Sequence, residues 1–156
     1  MKLLTILAVI LVSAVAQSAE PSASPSTPAK SQIDPGVINE LIGTWKEALG
    51  STLDITAIDP ATGAMTGTYT SPSGTGGTPF PLVGWVNTAP INPKAPSNVA
   101  VVCFSVSWGT IGSVTTWNGY YNAKSARIIG QWLLSRANSE FIWDHIFTGQ
   151  DQFTKK

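Results

Sequence analysis

Hydrophobic and polar positions alternate in short runs from residue 43 onward, and turn residues separate the runs. Alternation with a period of two is the mark of a strand with one buried face. Val, Ile, Thr, Tyr and Trp recur within the runs, and amphipathic stretches of helical length are missing. The pattern predicts strands at 44–48, 51–58, 64–71, 80–86, 99–108, 114–122, 126–136 and 143–153. Asp59-Pro60 ends the second, and Ala61-Thr62-Gly63 turns the chain into a hairpin. PSGTGGTP, at 72–79, has no apolar side chain and reads as a mobile loop. Residues 87–98 are a Pro-rich connection, and a short GTIG turn precedes the sixth strand. Eight strands with hairpin-scale links predict an all-β barrel or sandwich. An eight-stranded antiparallel up-and-down barrel would leave a cavity just large enough for one small ligand.

The same alternation sorts side chains onto faces. Ser113, Thr115, Trp117, Gly119 and Tyr121 share one face of the sixth strand, and Val114, Thr116, Asn118 and Tyr120 the other. Phe104, Val106 and Trp108 share a face of the fifth strand, as do Trp132 and Leu134 in the seventh. Large aromatics beside small hydroxyls are the composition of a ligand pocket. An ordinary core with satisfied hydroxyls has the same composition, and periodicity leaves both open.

The N-terminal residues follow another rule. Met1-Lys2, the apolar run LLTILAVILV and the small residues Ser13-Ala14-Val15-Ala16 read as a secretory signal peptide over 1–19, cut near 16–19. An uncleaved anchor is the alternative, although the run is short for a membrane span. Residues 20–38, rich in Pro, Ser and Ala, read as a disordered linker, and 39–156 as the folded domain. The expected location is therefore outside the cell or in the periplasm, with no membrane contact after cleavage. A lone cysteine, Cys103, cannot form an intrachain disulfide, so stability must come from a core or from assembly.

Charged residues make up only 12% of the chain and the net charge is zero, which argues against a nucleic-acid partner. Six Trp residues, each with a large apolar face and one N–H donor, suit cores, interfaces and pockets.

GTWKEALGST, GAMTGTYTS, TTWNGYY, QWLLS and GQDQFTK, in that order, resemble the avidin–streptavidin family of biotin-binding proteins, nearer to its bacterial members. The similarity runs from about residue 43 to 155. It implies an eight-stranded antiparallel up-and-down barrel that binds biotin tightly in one open end, without catalysis or cofactor. By resemblance, Ser51 and Tyr69 match donors to the ureido oxygen, and Ser71 and Asp151 match acceptors for the ureido N–H groups. Thr115 matches the hydroxyl near the thioether sulfur. Ser113 matches a group holding the valerate carboxylate, and the 72–79 loop offers Ser73 and Thr75 beside it. Trp108, Trp117 and Trp132 match the walls around the bicycle. Trp143 matches a cap over a neighbouring subunit's pocket, which implies a homotetramer, or a dimer as second choice.

Glu47 departs from the family pattern, which has Asn there as a further donor to the ureido oxygen. An ionised carboxylate offers that oxygen no proton. Three outcomes are open: a protonated Glu47 that donates, a side chain swung toward Lys46 or solvent, or a register one residue off. The expectation is weaker biotin binding than in Asn-bearing relatives, tightening as pH falls.

Other functions fit less well. Asp144-His145 could suggest acid–base work, but neighbours in a strand point to opposite faces. His145 reads as a surface or interface residue, and no Cys or His set has metal-ligand spacing. A lipocalin-like barrel for another small apolar ligand is the main alternative, and a purely structural exported barrel the third. Hydroxyls and Asp151 favour a urea-like ligand over a fatty acid.

Overall fold

Residues 33–73, 75–90, 93–94 and 97–156 are described by the computed structural model. The expected signal peptide and most of the expected linker lie outside them. Eight antiparallel strands close into a barrel in sequence order: β1 (Gly43–Glu47), β2 (Thr52–Ile58), β3 (Ala64–Thr70), β4 (Pro79–Asn87), β5 (Ala100–Ser107), β6 (Ser113–Asn122), β7 (Arg127–Arg136) and β8 (Ile146–Lys155). β8 pairs back onto β1 with Glu47 opposite Phe153, so no strand edge is left open.

The strands bury alternate residues. Trp45, Leu53, Ile55, Met65, Tyr69, Leu82, Val86, Phe104, Val106, Trp117, Ile128 and Phe153 fill the interior. The faces assigned to Phe104, Val106 and Trp108 and to Thr115, Trp117 and Tyr121 point inward. Thr116, Asn118 and Tyr120 are exposed on the outer face.

Up-and-down order then decides where chemistry can gather. The ends of odd strands and the starts of even strands share one mouth of the barrel. Glu47, Tyr69 and Trp108 stand at the ends of β1, β3 and β5, or just past them. Ser51, Ser113 and Thr115 stand at or beside the starts of β2 and β6.

The opposite mouth is closed by a helix the periodicity does not predict. The short helix α1 (Pro35–Leu41) occupies part of the stretch read as linker. Asp34 caps it through Gly36 N–H at 2.8 Å, and Pro35 stands where a missing N–H costs nothing. Ile33 and Leu41 are buried. Trp45 donates its indole N–H to Leu41 O at 2.8 Å. Lys155 donates to Glu40 O at 2.5 Å, with its ammonium 5.6 Å from the Trp45 ring. Packing, rather than a pattern within seven residues, holds this helix.

A second correction concerns the last strand. It begins at Ile146, not at 143. Trp143, Asp144 and His145 lie in the β7–β8 loop, so the opposite-faces argument does not apply to them. Asp144 is ion-paired with Arg136. Arg136 also donates through Nε to Asp144 O at 2.9 Å, and His145 Nδ1 lies 2.8 Å from Arg136 O. Among the described residues, no helix is long and apolar enough to cross a membrane.

Candidate functional site

The β1–β2 turn sets one side of the mouth. Glu47 is 8% exposed and faces inward. Its carboxylate accepts the N–H of Leu49 at 2.5 Å and that of Ser51 at 3.2 Å. Gly50, at φ 97°, supplies the left-handed residue that closes the turn. The carboxylate swings neither to Lys46 nor to solvent, because Lys46 is bonded outside the barrel to Thr52. The β1–β2 register pairs Trp45 with Leu53 and Lys46 with Thr52, which fixes Glu47 on the inner face.

Ser51 and Tyr69 come next. Both are buried, and their hydroxyls are hydrogen-bonded. Burial pushes the Tyr69 phenol well above its ordinary range. The Ser51 bond opposes that shift, and the charges of Asp151 and Glu47 add to it. Tyr69 therefore keeps its proton and remains a donor.

Asp151 sits on the inner face of β8, two residues from Phe153, which faces Glu47. Trp117 donates its indole N–H to Asp151 Oδ2 at 2.8 Å, and Trp132 donates a second bond. Burial raises the Asp151 carboxyl above its usual range and the Glu47 charge raises it further, while the two indole bonds oppose the shift.

The aromatic wall is continuous. Trp117 packs against both Tyr69 at 4.7 Å and Phe104 at 4.8 Å, the latter stacked at 15°. Tyr69 also meets Trp108 edge-on at 5.9 Å. Trp108 donates to Thr115 Oγ1 at 2.8 Å, which leaves the Thr115 proton free to donate elsewhere. Trp132 lies over Gly149, its partner across β7–β8. A Cβ at Gly149 would come within 2.4 Å of the Trp132 ring.

Ser71, Ser73 and Thr75 form a hydroxyl cluster at the rim. Ser71 Oγ lies 3.2 Å from Ser73 Oγ, and Thr75 donates to Ser71 O at 2.5 Å. Ser113 stands apart from that cluster. It lines a shallow rim cavity of about 370 Å³ with Ser107, Val114, Ser135 and Arg136. Trp143 is farther out, 76% exposed and stacked on Phe141 at 4.9 Å.

The structure thus gathers Glu47, Ser51, Tyr69, Trp108, Thr115, Trp117, Trp132 and Asp151 at one mouth, with Ser71, Ser73, Thr75 and Ser113 at its rim. Sequence reasoning placed Phe104 on the pocket face without naming it a site residue, and missed Phe80 as a wall residue and Gly149 as the support of Trp132. Phe80 packs on Trp108 at 5.3 Å. Among the described residues, no three His, Cys, Asp or Glu side chains gather as a metal site.

The avidin family model matches residues 37–156. The chain belongs to the avidin family. This avidin-family barrel is similar to the crystal structure of bradavidin, with 34% identity over 72% of this chain and 78% of that one, at a TM-score of 0.62. It is similar to core-bradavidin at 37% identity over 71% of this chain and 96% of that one, with a TM-score of 0.59. Xenavidin matches at 28% identity over 74% of this chain and 96% of that one, with a TM-score of 0.57. The avidin-family match begins inside α1, so the helix lies partly within the matched region.

Proposed function

We propose that this barrel binds biotin in the mouth described above and performs no catalysis. One observation carries the reading: a donor pair, Ser51 and Tyr69, shares one aromatic-lined mouth with an indole-bonded carboxylate, Asp151. A cyclic urea needs that set. Donors converging on its oxygen favour the charge-separated form, as an oxyanion hole does. An acceptor carboxylate then takes a more acidic N–H through a charge-assisted bond. Aromatic walls exclude water and strengthen both.

In this reading Ser71 and Asp151 accept the two ureido N–H groups. Thr115 donates toward the thioether sulfur, while Trp108, Trp117 and Trp132 enclose the bicycle. Ser113, Ser73 and Thr75 receive the valerate carboxylate at the rim. Glu47 weakens binding relative to an Asn, because it supplies an acceptor where the ureido oxygen needs a donor.

Trp143 covers the pocket of a second subunit in a homotetramer. Its exposure, together with that of Ile142 at 83% and the outward Leu133 and Ile146, supports a surface that is buried on assembly. The leader-like pattern of residues 1–19 supports export.

Tryptophan fluorescence titrated with biotin, and competition between biotin and a hydrophobic dye, test the proposal. Saturable quenching by biotin that displaces the dye is expected. Dye binding that biotin does not displace would favour a lipocalin-like barrel instead.

A further inference from the structure

The charge balance of the mouth is unusual for a site that takes a neutral urea. Glu47 and Asp151 both face inward, and Phe153, opposite Glu47, is two residues along β8 from Asp151. The groups around them are the phenol of Tyr69 on β3, the hydroxyls of Ser51 and Thr115, and the rings of Trp108 and Trp117. The nearby cations are turned elsewhere. Lys46 bonds Thr52 outside the barrel. Lys155 is bonded to the carbonyls of α1 at the far mouth. Arg136, at the rim, is paired with Asp144 and lies over the Phe147 ring at 4.6 Å. Among the described residues, this mouth therefore holds two carboxylates and no free cation.

The geometry keeps Glu47 in that role. Both of its oxygens face backbone N–H groups of its own turn, so the group is used as an acceptor. A carboxylate has about four lone-pair sites, so two turn amides leave capacity for a ligand donor. Ser51, Tyr69 and Ser71 are hydroxyls, which accept as readily as they donate.

We infer that this mouth selects a cyclic guanidinium head group over the neutral cyclic urea, with Glu47 as the specificity-determining residue. The inference rests on the biotin reading of the same site. A urea turns an oxygen of partial negative charge toward Glu47. A guanidinium of the same shape turns a protonated nitrogen there and places its positive charge between Glu47 and Asp151. Charge-assisted bonds of this kind are roughly twice as strong as neutral ones. A desolvated cation is tolerated only where such partners satisfy it.

The test compares biotin with 2-iminobiotin, its analogue with an imino nitrogen in place of the ureido oxygen, by calorimetry at pH 7. Wild-type protein is expected to bind 2-iminobiotin more tightly than biotin. In Glu47→Asn the ratio of the two affinities should fall by about tenfold or more. Glu47→Gln, which keeps the length of the side chain and one acceptor oxygen, should shift the ratio in the same direction. Thermal unfolding of each variant verifies that it is folded. Raising the pH until 2-iminobiotin loses its proton should remove the wild-type preference. A wild-type preference for biotin, or a ratio unchanged in both variants, would overturn the selectivity and leave the biotin reading standing. Absence of binding by either ligand would overturn both.

Discussion

Glu47 holds the N–H of Leu49 at 2.5 Å, so the carboxylate at the mouth of the barrel is also the clamp of its own turn. The same group accepts from Ser51 N–H, and Ser51 is hydrogen-bonded to Tyr69. A change at Glu47 therefore reaches stability and ligand chemistry together. Glu47→Ala would strip two turn amides of their partner, at a cost of about 1–3 kcal/mol. A lower urea midpoint with an unchanged slope would match this account. A midpoint equal to wild type would show that the clamp contributes nothing.

Asp151 gives the fold a pH signature. Its folded carboxyl is raised above its ordinary value of 3.8, mainly by burial. A group with a raised folded pKa contributes stability that is present in full below its unfolded pKa and is lost as pH rises through the folded one. Between those two values, wild-type protein should lose stability relative to Asp151→Asn as pH rises. Denaturant midpoints of both proteins, measured from pH 3.8 toward neutrality, check this. Parallel curves would contradict it.

Gly149 is the floor on which the Trp132 indole lies. Gly149→Ala should push the ring aside, break its bond to Asp151 and cost about 1–3 kcal/mol through overpacking. A shifted tryptophan emission with weaker biotin binding is expected. Unchanged emission would mean that the ring has room to give.

Trp143 tests assembly without touching the core. At its exposure, Trp143→Ala should change the stability of a single subunit by no more than about 0.5 kcal/mol. If it caps a partner's pocket, the variant should release biotin faster by about tenfold or more and populate smaller oligomers in native mass spectra. Tight binding by a monomeric wild-type protein would defeat the capping role.

Much of the barrel was legible because alternation is a local property of each strand. The inner faces of β5 and β6 could be read directly, and with them Trp108, Thr115 and Trp117. The start of β8 misled because Trp143-Asp144-His145-Ile146-Phe147 alternates like a strand, yet the Arg136–Asp144 pair holds its first three residues in a loop. Helix α1 was hidden for the opposite reason. Seven residues carry too little periodicity, and what orders them is Leu41 and Ile33 docking on the far mouth. The need for Gly149 depends on cross-strand register, which no single strand displays. Glu47 stood out as a missing donor, but its use as a turn clamp appears only when the backbone N–H groups of Leu49 and Ser51 are seen converging on it.

The central claim is that the Ser51–Tyr69 pair and Asp151 form a biotin site, and a calorimetric titration with biotin tests it most directly. The account predicts saturable binding at one biotin per chain, strengthened in Glu47→Asn by about 1–3 kcal/mol and weakened in Asp151→Ala. Absence of saturable heat with folded wild-type protein, or an affinity untouched by Asp151→Ala, would contradict it.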